Sequence, residues 1–218
     1  MTYTEFILEH IKQKRTGEPI YSADLAKELA AAFGLNNSGA NAAVSVAMKR
    51  IIDRKTIAEL RCYQKGIYYL AVETPFGETG IDKEAIIQRK YLAHDIGYET
   101  GLSALYRLGL TTQLPRERTI ATNRAGDCQR KDKDLDVVVR PPKVEITADN
   151  KRYLQALDVV DLIDRAPIDT ADPYKLLARF MSRYKLNYHQ LLALADRYYN
   201  KKTVLNLAHI AAAEGTEP

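Results

Sequence analysis

NNSGANAAVSVAMKRIIDRKTIAELRCYQKGIYYLAV, residues 36–72, is the stretch on which the reading of this chain turns. The polar turn Asn36-Asn37-Ser38 leads into a helix expected from Gly39 to about Asp53, because Ala43, Ala47 and Ile51 recur on one face beside Val44, Met48 and Ile52. Beyond it, residues 56–61 alternate weakly in polarity, residues 62–66 have turn composition, and residues 67–72 (IYYLAV) are strongly strand-forming. That pattern predicts a β-hairpin.

Upstream, Phe6, Ile7 and Ile11 fall at helical spacing with Thr4 before them as N-cap, which predicts a first helix over 4–14, closed by Gly17. Pro19, Ile20 and Tyr21 make a short extended piece. Ser22 then caps a second expected helix with Leu25, Leu29 and Phe33 at i, i+4 and i+8, stopped by Gly34. Helix, short strand, helix, turn, helix, hairpin is the layout of a winged helix-turn-helix, whose third helix enters the major groove of double-stranded DNA while the hairpin touches the flanking backbone.

The expected DNA-facing residues follow from that layout. Ser38, Asn41, Ser45 and Lys49 form one polar stripe at helical spacing. Asn pairs bidentately with adenine, Ser bonds base edges or phosphate, and Lys49 with Arg50 neutralises phosphate. Gly39, Ala40 and Ala42 are small enough for close approach. Arg61, Tyr63, Gln64 and Lys65 are expected at the hairpin tip, where they would meet sugar and phosphate. Residues 1–72 hold ten Lys or Arg against seven Asp or Glu, so most of the chain's net charge of +4 lies in this part. A basic bias there suits a polyanionic partner.

Downstream, Pro75, Gly77 and Gly80 break the periodic pattern, which sets an expected domain boundary near residue 75. A helix around 83–92, a strand at Tyr98, a helix around 101–108 and strands at about 118–122, 136–140 and 143–147 are expected next. From residue 150 the pattern is helical throughout, over about 150–164, 172–185, 187–198 and 201–213, with 214–218 as a disordered tail. The expected fold class is therefore α+β: an N-terminal winged helix-turn-helix (1–75) followed by a larger mixed α/β domain (76–218). Residues 76–149 form its α/β part and 150–213 its closing helical bundle.

With 218 residues, 46% of them hydrophobic, the chain has material for real cores. No apolar run reaches membrane-span length, and MTYTEFILEHIKQKR mixes charges into its apolar positions, so a cytoplasmic protein is expected. Cys62 and Cys128 are far apart and the four His are scattered, which predicts two free thiols, no metal site and no cofactor.

A nucleotidyltransferase is the enzymatic alternative, resting on Asp134-Leu135-Asp136 as alternating carboxylates on a strand with Glu145 on another. Its phosphate turn is poorly matched, since Gly126 is followed by Asp127 rather than Ser, and no Gly-rich loop or nucleophile pair accompanies it. No catalytic residue is assigned and the chain is expected not to be an enzyme. Asp158, Asp161 and Asp164 fall three apart, and Lys175, Arg179, Arg183 and Lys185 line the next helix. These read as solvated faces, or as opposite charges that pair with each other or meet a partner.

The segments GYETGLSAL (97–105), LGLTTQLP (108–115) and IATN (120–123) resemble the AbiE-type antitoxin family, and residues 191–210 are similar, less specifically, to its closing helices. The resemblance covers roughly residues 5–125; residues 127–142 have no match. It implies an abortive-infection, phage-defence role as antitoxin of a type IV toxin–antitoxin pair. On that reading the first domain represses its own promoter at inverted repeats, and the second opposes a nucleotidyltransferase-like toxin without an obligate stable complex. The family's recognition helix falls on Ser38–Asp53 and its wing on Arg61–Ile67, and the Gly97–Asn123 motif reads as mainly structural. A plain winged-helix regulator, whose second domain senses a ligand or dimerises, is the alternative.

Overall fold

The computed structural model describes residues 1–214, so the expected tail beyond them lies outside the described residues. The protein is mixed α+β and divides into two compact units, Met1–Ile86 and the chain from Ile87 on. The first unit thus runs past the break expected near residue 75.

Three helices open the first unit: α1 (Tyr3–Lys12), α2 (Ser22–Phe33) and α3 (Asn37–Asp53), with β1 (Ile20–Tyr21) between the first two. Thr2, not Thr4, caps α1, because only Thr2 has a glutamate three residues on. The Thr2 hydroxyl accepts from the Glu5 N–H, and the Glu5 carboxylate accepts from the Thr2 N–H at 2.7 Å. At α3 the Asn36 side chain accepts from the Gly39 N–H at 2.7 Å, so that helix begins earlier than expected. Ile7, Ile11, Leu25, Leu29, Val44, Met48 and Ile51 are fully buried between the three helices.

A hairpin of β2 (Leu60–Gln64) and β3 (Ile67–Leu70) follows, and β1 pairs with β3 to give an antiparallel sheet of order β1-β3-β2. The strand expected at 56–61 forms later because α3 ends in a left-handed turn. Lys55 has φ 50°, and the Thr56 N–H donates back to the Ile51 carbonyl at 3.0 Å. Residues 62–64 are consequently strand, and the hairpin turn is Lys65-Gly66. Ser22 does not cap α2 as expected; its N–H (2.9 Å) and hydroxyl (3.3 Å) both donate to the Gly66 carbonyl. This ties the hairpin turn to the start of α2. A small second hairpin, β4 (Glu73–Thr74) with β5 (Gly77–Glu78), turns at Pro75-Phe76.

The second unit is built on a four-stranded mixed sheet of order β6-β7-β9-β8: β6 (Gly97–Thr100), β7 (Arg118–Thr122), β8 (Arg130–Asp132) and β9 (Val137–Arg140). Only β7 and β9 run parallel. Before it, α4 (Lys83–Ile87) continues as a π-helical turn at Gln88–Leu92, and α5 (Gly101–Arg107) links β6 to β7. Four helices close the chain: α6 (Lys151–Leu162), α7 (Pro173–Arg183), α8 (Tyr188–Tyr198) and α9 (Lys201–Glu214). Leu154, Ala156, Leu157, Asp158, Val159 and Val160 are all buried, so α6 is covered nearly all round; it packs on β6, α5, α7, α8 and α9.

The strand expected at 143–147 does not form. Pro141-Pro142 precede it, and its backbone is met instead by two side chains: Asn123 Nδ2 donates to the Ile146 carbonyl (2.8 Å) and Asn123 Oδ1 accepts from the Ile146 N–H (2.9 Å), while Asn150 Nδ2 donates to the Glu145 carbonyl and Asn150 Oδ1 accepts from the Thr147 N–H, both at 2.8 Å. The edge of the sheet goes to β8. Asp132 holds it there, accepting from Lys90 Nζ and the Tyr91 hydroxyl at 2.7 Å each.

Gly97 starts β6 and is more crowded than the other glycines of the unit. A Cβ there would lie 2.0 Å from the Tyr91 carbonyl oxygen and 3.0 Å from that of Ala121, both backbone atoms that cannot rotate away. Gly97→Ala is expected to destabilise the second unit by about 3 kcal/mol or more. Gly126→Ala, which meets nothing within 4 Å, should stay within about 0.5 kcal/mol of the parent. Urea unfolding of both variants checks this; equal midpoints would remove the close-approach account.

Candidate nucleic-acid interface

Helix α3 is held by one side only. Ala40, Val44, Ala47, Met48 and Ile51 face the core, whereas Ser38, Asn41, Ser45, Lys49 and Arg50 are all exposed. Ala40, expected beside the stripe, is fully buried instead. Among the described residues no ion pair or side-chain hydrogen bond engages Ser38, Ser45, Lys49 or Arg50. Asn41 Nδ2 donates to the Asn37 carbonyl at 2.7 Å, a bond within the helix. Arg54 and Lys55 extend the free cations past the end of α3. The basic run in the sequence contained that signal.

The hairpin residues divide differently from the expectation. Lys65 is exposed at the turn and unpaired among the described residues. Tyr63 and Gln64 are part-buried strand residues, and the register shifts between Cys62 and Gln64, a bulge. Arg61 sits at the base of the hairpin, away from its tip. Its guanidinium meets Glu78 Oε1 at 2.5 Å and donates to the Ala58 and Leu60 carbonyls. The hydrogen bond to Glu78 pushes the Arg61 pKa up, and the pair leaves little charge for an outside anion. Of the four expected tip residues, the structure brings only Lys65 to the tip.

No family model and no curated protein sequence matches the chain. Among solved structures, the chain is similar to the RV2827C protein from Mycobacterium tuberculosis, at 12% identity and a TM-score of 0.46, over 99% of this chain and 78% of that one.

The acidic groups of the second unit are placed quite unlike the expectation. Asp134 and Asp136 lie in the turn between β8 and β9, Asp136 with φ 54° and paired to Lys131 at 3.0 Å, and residue 145 is outside any strand. The alternating carboxylates therefore do not share a strand face. No group of three His, Cys, Asp or Glu suited to a metal occurs among the described residues. No helix of the described residues is long and apolar enough to cross a membrane. Cys62 and Cys128 are free and exposed.

Asp158, Asp161 and Asp164 are structural, and none pairs with α7. Asp158 is buried and accepts from the Tyr98 hydroxyl (2.9 Å), the Thr100 hydroxyl (3.0 Å), the Tyr199 hydroxyl (2.8 Å) and the Arg140 guanidinium. Burial and the adjacent Asp158 charge push the Tyr98 and Tyr199 hydroxyls far up, so both remain donors. Asp161 accepts from Thr203 (2.9 Å), Asn200 (2.5 Å) and Arg165 (2.6 Å), and Asp164 accepts from Asn206 (2.7 Å), so the two lock α6 to α9. The shallow clefts at these groups are lined by the same residues.

Burial works against the charge of Asp161, but the Thr203 hydrogen bond and the Lys143 and Arg165 charges outweigh it and hold its carboxyl below the ordinary range. Asp132 is likewise opposed by burial and held low by Lys90 and Tyr91. A carboxylate depressed in the folded state stabilises the fold fully above its unfolded value of about 4 and loses that contribution as pH falls through the lower folded value. Urea midpoints should therefore fall below about pH 4, with a shallower acid limb in Asp161→Asn and Asp132→Asn. Acid slopes equal to the parent's would remove both groups from the account.

Proposed function

We propose that the first unit is a winged helix-turn-helix that binds double-stranded DNA, with α3 in the major groove and the Lys65-Gly66 turn on the flanking backbone. One observation carries the reading: a helix of 17 residues buries one face and leaves the other exposed, mostly small or polar, with no side-chain bond beyond the helix at Ser38, Asn41, Ser45, Lys49 or Arg50, ending among free cations. The surroundings support it. Gly34-Leu35-Asn36 forms the short, Gly-containing turn between α2 and α3 that a helix-turn-helix uses, and the hairpin follows α3 with its turn anchored to α2. Lys49, Arg50 and Lys65 serve phosphates; Ser38, Asn41 and Ser45 serve base edges.

Binding of the full chain to its own upstream DNA, followed by fluorescence anisotropy over a salt series, tests the reading. Lys49→Ala or Lys65→Ala should weaken specific and random duplexes alike and lower the log–log salt slope by about 1. Asn41→Ala should cost about 1–3 kcal/mol on the specific duplex and little on random DNA. Absence of any salt-dependent binding by the parent chain would end the proposal.

For the second unit the resemblance at Gly97–Asn123 supports an antitoxin that opposes a nucleotidyltransferase-like toxin while the first unit represses the shared promoter. Co-expression with a neighbouring nucleotidyltransferase gene should restore growth. A Lys49→Ala/Lys65→Ala chain should still do so while losing repression. DNA binding without growth rescue would favour the regulator whose second unit senses a ligand or dimerises.

A further inference from the structure

Around α3, the positions turned farthest from the buried row Ala40, Val44, Ala47, Met48 and Ile51 are Ala42, Lys49 and Asp53, with Ser38 and Val46 immediately beside them. Asn41 and Arg50 stand on the two flanks. The middle of the outward face is therefore apolar as well as polar. Val46 is 48% exposed, and Ala42, one turn before it, is exposed too. A β-branched apolar residue here gains nothing from the core and is a weaker helix former than Ala, Lys or Glu. Its exposed neighbours three and four residues away are Ala42, Lys49 and Arg50, with Asp53 two turns on, so it forms one apolar spot inside a polar, charged surround.

The major groove has one apolar group among its donors and acceptors, the 5-methyl of thymine. We propose that Val46, with Ala42 beside it, makes α3 select thymine by covering that methyl group. The assignment rests on the DNA-binding reading above and adds to it the base that the central, non-hydrogen-bonding part of the helix recognises. It also divides the labour on the helix. Asn41 and the serines supply directional bonds, Lys49 and Arg50 hold phosphate, and Val46 discriminates by contact alone.

The test starts from duplexes recovered from a random-sequence library by the full-length chain, resynthesised with deoxyuridine for thymidine one position at a time. Uracil keeps every hydrogen-bonding group of thymine and lacks only the methyl. At one or two positions it should weaken binding by about fourfold, the worth of one buried methyl. Val46→Ala should bind the thymine and uracil duplexes alike, and Val46→Ile should keep the discrimination. Because Val46 is exposed, neither substitution should unfold the chain.

Sequence-specific binding by the parent with no uracil-sensitive position would overturn the thymine assignment and leave the DNA-binding reading standing. So would undiminished discrimination in Val46→Ala. Recovery of no specific duplex would overturn both. A loss of self-association in Val46→Ala, seen by sedimentation, would assign the residue to a second copy of the chain and overturn the thymine contact.

Discussion

A carboxylate taken out of water must be met by donors, and Asp158 is the group around which the second unit is organised. Its partners come from β6 (Tyr98 and Thr100), the end of β9 (Arg140) and the residue after α8 (Tyr199). One side chain on the central helix thus fastens sheet to bundle. Removing any one donor leaves part of a buried charge unanswered, which costs about 3–5 kcal/mol where an ion-pair partner is lost. The surrounding aliphatic residues of α6 supply the hydrophobic gain that such an arrangement must be set against. Asp161 on the same helix and Asp164 in the turn after it make further, less buried ties toward α9.

The first unit follows the opposite logic. Glu99, Thr100, Ser103, Thr111, Thr122, Asp132, Asp158, Thr203 and Asn206 are the buried polar residues among those described, and all belong to the second unit. The three-helix core of the first is closed by apolar contacts alone. Its polar side chains are therefore left at the surface, and those on the outward stripe of α3 have no competing partner except Asn41, which bonds within the helix. Arg61 is the informative exception: Glu78 on the second hairpin takes it, so a cation adjacent to the hairpin is withdrawn from any anion outside.

How much of this was legible in the sequence depended on whether the signal was periodic. The helices were, because their apolar spacing survives burial; α3 and its outward stripe could be read directly. The start of β2 was not, because the left-handed turn before it falls on Lys55 rather than on a glycine. The false strand at 143–147 alternates as a strand should, and its backbone is occupied instead by the amides of Asn150, close by, and Asn123, distant in sequence. Asp158, Asp161 and Asp164 have the spacing of a solvated face. Asp158 alone is buried and Asp164 is exposed, and only the hydroxyl, amide and guanidinium partners of the three, up to 60 residues away, reveal them as ties between elements. Val46 escaped notice for a different reason, since periodicity marks where apolar residues are expected and says nothing of one placed outside.

The two ways of using polar groups also decide where function can be probed. Several residues of the Gly97–Asn123 stretch are committed to structure: Gly97 is pressed against backbone, Tyr98 and Thr100 serve Asp158, Ser103 bridges Thr100 and Thr119, and Asn123 holds Ile146. Substituting them tests folding first and any antitoxin role only through it. The α3 surface has the reverse property. Side chains there are exposed and have few bonds to lose, so replacing them should move stability within about 0.5 kcal/mol. A change in DNA binding at Lys49, Asn41 or Val46 can then be attributed to the interface itself.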